Sequence, residues 1–144
     1  MVVRVERVVT VPASPEAVWE FIADPEQRAA SISVVEEFEI LDDGKAVWHV
    51  AVPIPFVDKT LSIETKEVTR EPPTYVEFTG TSKVLTVVGK HMLEEVNGST
   101  ELTNRFIVDG EAPGVEKFFK KQMDEEFDNL ERALNEFLGI THEN

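Results

Sequence analysis

The stretch GVEKFFKKQMDEEFDNLERALNEFLG, residues 114–139 of a 144-residue chain, decides the fold. Val115, Phe118, Phe119, Met123, Phe127, Leu130, Leu134, Phe137 and Leu138 follow one another at steps of three or four, or as adjacent pairs. That is the apolar stripe of an amphipathic helix. The opposite face is charged, with Glu116–Lys120 and Asp128–Arg132 spaced for pairing along the helix. Gly139 can end the helix at positive φ, and Ile140 follows it to fold back onto the last turn. At about 25 residues the helix runs roughly 37 Å. Such a length of phenylalanine-rich surface needs a broad apolar partner.

Upstream, between residues 33 and 110, the period changes from helical to two. VVEEFEIL (34–41) alternates, DDG turns, and KAVWHVAV (45–52) alternates again. PIPF (53–56) interrupts, because two prolines cannot lie inside a central strand. KTLSIETKEV, a turn at REPPT, and YVEFTGT follow. SKVLTVVG (82–89) is ambiguous on pattern alone. KHMLEEV and TELTNRFIV flank NGS, and Asn-Gly is a strong signal for a two-residue hairpin turn. Gly110 and Pro113 separate this region from the final helix.

At the other end, residues 2–11 alternate with Val3, Val5, Val9 and Val11 on one face. Ser14 then reads as an N-cap with Pro15 in the first helical position. Val18, Phe21 and Ile22 form a short stripe, and Asp24-Pro25 breaks that helix. Asp24 caps a second short helix from Pro25 to about Ala30. The expectation is an α+β fold over residues 1–144 as one domain. About seven strands form a curved antiparallel sheet wrapped around the long C-terminal helix, with two short helices after the first strand.

The chain carries 28 acidic and 14 basic residues, a formal net charge of −14. A nucleic-acid partner is therefore not expected, since phosphate binding needs clustered Lys and Arg. There are no cysteines, which removes disulfides, thiol nucleophiles and thiolate metal sites. No apolar run is long enough to span a membrane. The N-terminus alternates rather than forming a secretory leader, so the expected location is cytoplasmic.

The motifs VPASPEAVWEFIADPE, EPPTYVEF and LEEVNGSTELTNRF, followed by the long helix, occur in an order similar to that of the START/SRPBCC superfamily. This is the helix-grip fold of the birch pollen allergen. The chain most resembles its polyketide cyclase/dehydrase-like branch and the branch named for a small component of carbon monoxide dehydrogenase. The resemblance covers nearly the whole chain and rests on Ser14, Pro15, Glu16, Val18, Trp19, Asp24 and Pro25 in its first motif. It implies a cavity between sheet and helix for a small hydrophobic molecule such as a lipid, quinone or polyketide. No cofactor is implied. A protein partner or a homodimer stays open.

Strand alternation selects the residues that would line the cavity. Trp48 and Val50 share a face, as do Ile63 and Thr65, and Phe78 lies on the inward face of the next strand. On the closing hairpin Leu102, Asn104, Phe106 and Val108 form one face, with His91 and Leu93 as the expected partners across the turn. From the final helix come Phe119, Met123, Phe127 and Leu130. An apolar wall with a few polar groups is the composition of a ligand pocket. It is equally the composition of a filled core with one hydrogen-bonded His–Asn pair.

No catalytic set converges. His91 and Glu95 are four apart, but on a strand that is roughly 13 Å, too far for one metal ion. No metal site is expected, and His142 lies in a polar tail. Adjacent carboxylates such as Glu94 and Glu95 point to opposite faces. Glu36 shares strand parity with Val34, Phe38 and Ile40, which are expected inward, so it is the carboxylate to follow. Three readings result: a carrier for an apolar molecule, a cyclase or dehydratase using His91 or Glu36, and a protein-interaction module with a filled core. The loop VPIPFVD (52–58) is expected near the cavity rim.

Overall fold

The computed structural model describes residues 2–33, 35–42, 44–51, 61–83, 85–110 and 115–139. Val34, the expected rim loop 52–58, Pro113, Ile140 and His142 lie outside the described residues, as do the side chains of Val115 and Glu116. In chain order the elements are β1 (Val2–Val11), α1 (Pro15–Ile22), α2 (Pro25–Ser31), β2 (Val35–Ile40), β3 (Lys45–Val50), β4 (Leu61–Glu71), β5 (Tyr75–Thr81), β6 (Leu85–Val96), β7 (Ser99–Gly110) and α3 (Val115–Leu138). The strands form one antiparallel sheet in the order β1-β7-β6-β5-β4-β3-β2. From β2 to β7 the chain meanders, and β1 closes onto the free side of β7.

Local chemistry sets the element ends. Ser14 Oγ accepts from Ala17 N at 3.2 Å, and Pro15 opens α1. Asp24 Oδ1 accepts from Glu26 N at 2.9 Å, and Pro25 opens α2. Asn97 and Gly98 both have positive φ, 52° and 84°, as a mirror-image two-residue hairpin turn requires. That turn fixes the β6–β7 register, pairing Val96 with Ser99, His91 with Asn104 and Leu93 with Leu102. Gly139 ends α3 at φ 71°.

The ambiguous stretch 82–89 turns out to supply the first part of β6. Leu85–Val96 is a single 12-residue strand that runs through Gly89. The glycine there is a steric requirement. Phe78 stands opposite it, and a Cβ at Gly89 would lie 2.3 Å from Phe78 Cε1. The missing side chain at Gly89 leaves the room that the Phe78 ring occupies.

The expectation for Glu36 is overturned. β2 opposes β3 with Val35↔Val50 and then Glu37↔His49, so Glu36 is the extra residue of a β-bulge. The bulge moves Val35 to the inward side with Phe38, and both pack against the core. Glu36 is exposed, and so is Ile40.

The core has two parts, divided along α3. The first lies between the middle of the sheet and the first half of the helix, and includes Trp48, Ile63, Phe78, Phe106, Phe119, Met123 and Phe127. The second joins α1 to the hairpin end and the second half of the helix through Phe21, Ile22, Leu93, Leu102, Leu130 and Leu134. β1 is tied to α3 through Arg7, whose guanidinium pairs with Asp128 and lies 5.3 Å from the Phe127 ring centre. Asp128 thus bonds across to the sheet, while Arg132 donates to Asn129 Oδ1 at 3.2 Å.

Candidate functional site

Under the first half of α3 the packing is incomplete. A cavity of about 40 Å³ lies between helix and sheet, lined by Ile32, Val35, Trp48, Val50, Ile63, Val87, Phe106, Val108, Phe119, Gln122, Met123 and Glu126. Next to it is a smaller space of about 10 Å³, lined by Arg28, Ile32, Phe78, His91, Phe106, Met123, Glu126 and Leu130. The two share Ile32, Phe106, Met123 and Glu126 as walls. The larger is almost wholly apolar. The smaller is also mainly apolar in surface, and Arg28, His91 and Glu126 border it.

All thirteen residues expected to line a cavity are buried. Six of them, Trp48, Val50, Ile63, Phe106, Phe119 and Met123, line the larger space. Phe78, His91 and Leu130 join Phe106 and Met123 around the smaller one. The other four line neither. Thr65 Oγ1 donates to Ala46 O at 3.2 Å, and Leu93 packs in the second core cluster. The Phe127 ring packs against Phe106 in a tilted pair with centres 5.6 Å apart, and Asn104 is taken up by His91. The larger space therefore lies under the first half of the helix, and beyond Leu130, which borders the smaller one, the helix packs into the second core cluster.

His91 is 1% exposed, and its Nδ1 lies 2.7 Å from Asn104 Oδ1. Burial pushes its imidazole down to about 4, and the nearby Arg28 charge pushes the same way against the Asn104 hydrogen bond. The ring is neutral at pH 7. Because Asn104 presents an oxygen, Nδ1 carries the proton and Nε2 presents a lone pair.

Two charged residues at this site escaped the sequence reading. Arg28, in the last turn of α2, is 5% exposed. It donates from Nη1 to Ile22 O at 3.0 Å and from Nη2 to Glu67 Oε1 at 3.2 Å. Its Cζ lies 5.3 Å from the Phe78 ring centre. Burial lowers its pKa, against the opposing pull of Glu67. Glu126, in the middle of α3, is 2% exposed. Its Oε1 accepts from Ser33 N at 3.1 Å, Ser33 Oγ at 2.6 Å and Asn129 Nδ2 at 2.9 Å. This clamps the link between α2 and β2 onto the helix beside the cavity. A signal for Glu126 was present: 123, 126, 127 and 130 have the spacing of a single helix face.

Among the described residues no group of three or more His, Cys, Asp or Glu is placed to hold a metal ion. Glu36 is exposed, so the inward acid–base candidate that remains from the sequence reading is His91.

A seven-stranded antiparallel sheet closed by one long C-terminal helix, with two short helices after the first strand, is the helix-grip fold of the START/SRPBCC superfamily. The chain belongs to the family described as polyketide cyclase / dehydrase and lipid transport, whose model matches residues 2–135. No curated protein matches at the sequence level. The fold is similar to that of the Zhui aromatase/cyclase from Streptomyces sp. R1128, with a TM-score of 0.71 and 18% identity over 95% of this chain and 94% of that one. It is also similar to a START superfamily protein from Mycobacterium smegmatis, with a TM-score of 0.71 and 16% identity over 91% and 93%. Ara h 8.0201 gives a TM-score of 0.68 and 16% identity over 96% and 99%. At these identities the likeness establishes the fold.

Proposed function

We propose that the protein binds a small hydrophobic molecule, such as a lipid, quinone or polyketide, between the sheet and α3. The observation that carries this reading is the apolar void under the first half of the helix, walled by Trp48, Ile63, Phe106, Phe119 and Met123. The family description points the same way. Ordinary ligand pockets measure roughly 300–1,000 Å³. The void of about 40 Å³ is much smaller, so binding requires side chains to move. Met123 lines both spaces and is the side chain best suited to do so, being unbranched and flexible.

The small volume also favours a second reading, a protein-interaction module with a filled core. A titration with N-phenyl-1-naphthylamine, an uncharged apolar fluorophore, separates the two, together with native mass spectrometry of the purified chain. Carrier function predicts saturable enhancement near one probe per chain, or a co-purifying apolar compound released on denaturation. A bare polypeptide mass with no saturable probe binding rejects the carrier and leaves the filled-core reading.

A further inference from the structure

Among the described residues, Arg28 Nε and His91 Nε2 are the two buried side-chain polar atoms without a hydrogen-bond partner. Both residues line the same small space of about 10 Å³. Their other polar atoms are committed, Arg28 to Ile22 O and Glu67, His91 to Asn104. The two orphans are complementary. Arg28 Nε–H can only donate, and His91 Nε2, with the proton on Nδ1, can only accept. A space of this volume holds about one oxygen atom.

We propose that this space is a hydroxyl-recognition subsite. A hydroxyl on an otherwise apolar ligand donates to His91 Nε2 and accepts from Arg28 Nε–H. The apolar body of the ligand extends past the shared walls Phe106 and Met123 into the larger cavity. The inference rests on the carrier reading above and narrows it to phenols, enols and alcohols.

The chemistry of the two atoms selects among polar groups. A carbonyl or ether oxygen accepts from Arg28 but leaves His91 Nε2 buried and unpaired, which costs affinity. A carboxylate has the same defect, and it brings negative charge to a space already walled by Glu126 while the Arg28 charge is matched by Glu67. An ammonium donates to His91 but offers Arg28 nothing and faces its charge. A neutral hydroxyl satisfies both atoms. The low pKa of His91 keeps Nε2 unprotonated at neutral pH.

The test is the affinity of the full chain at pH 7 for 1-naphthol, 1-methoxynaphthalene and naphthalene. The three share a ring system but carry, respectively, a donor–acceptor, an acceptor and no polar group. The expected order places 1-naphthol about tenfold or more ahead of the other two, as one or two buried hydrogen bonds provide. His91→Phe should bring all three within about threefold while naphthalene binding persists. Naphthalene binding as tightly as 1-naphthol to the unaltered protein overturns the subsite and leaves the carrier reading intact. Failure of all three to bind overturns the subsite, and the probe titration with native mass spectrometry decides the carrier reading separately. If His91→Phe does not fold, the ligand series on the unaltered protein decides alone.

Discussion

His91 is a titratable ring held neutral by its surroundings, which makes it a source of pH-dependent stability. Its folded pKa is about 4, against an ordinary 6.5. Above about pH 6.5 neither folded nor unfolded chain protonates it. As the pH falls from there to about 4, the unfolded chain takes up a proton that the folded chain refuses. Stability is lost through that window, by up to about 3 kcal/mol. The charged groups facing the ring are Arg28 from α2 and Glu126 from α3, which line the same space. Urea unfolding at several pH values should show this slope, and His91→Gln should reduce it between pH 4 and 6.5 relative to the unaltered protein. The pairing of His91 with Asn104 was legible in the sequence because a hairpin turn of known length fixes which residues face each other. Arg28 was not legible. Nothing in a short helix reading PEQRAAS says that its arginine turns inward; the charge partner that makes the burial tolerable, Glu67, is 39 positions later and brought near by the sheet.

The division of α3 into a cavity-facing half and a core-filling half depends on what the sheet offers beneath it. One stripe of apolar residues runs the whole length of the helix, so the sequence shows the stripe and not the division. Sheet curvature and the docking of α1 against the second half create the difference, and both are tertiary. The bulge at Glu36 has the same character, because pairing with β3 sets the inserted residue and strand parity alone put it on the wrong face. Glu126 is where α3 is attached to the cavity side of the molecule. Glu126→Ala removes the acceptor of Ser33 N–H and Oγ–H and of Asn129 Nδ2. The expected loss is about 1–3 kcal/mol in urea unfolding. Amide exchange at Ser33 should quicken by more than this global loss explains, and uniform quickening across the chain would count against a local clamp.

For the molecule as a whole, an excess of 14 negative charges opposes compaction. The described ion pairs, such as Arg28–Glu67 and Arg7–Asp128, engage only part of that charge. Raising ionic strength from low salt to about 0.3 M should therefore raise the melting temperature, because screening relieves more repulsion than it removes attraction. A melting temperature that falls with sodium chloride would mean that the ion pairs dominate. The architecture at this scale was the most legible part of the sequence. Period-two segments, an Asn-Gly turn, capped short helices and one long stripe each name their element locally, and few arrangements bury all of them. The volume left inside is a small difference between large packed volumes, which patterning does not report.

The closure of β1 onto β7 sets a timetable for synthesis. Val2 pairs with Asp109 and Val11 with Thr100, so the first strand made must wait for the last strand made. At about 5–20 residues per second, the growing chain carries β1 unpartnered for roughly 5–20 s. During that interval an alternating valine strand is available to any neighbouring nascent chain with an open edge. Arg4, Glu6 and Arg7, interleaved among those valines, place charge along the strand, the pattern that disfavours edge-to-edge association.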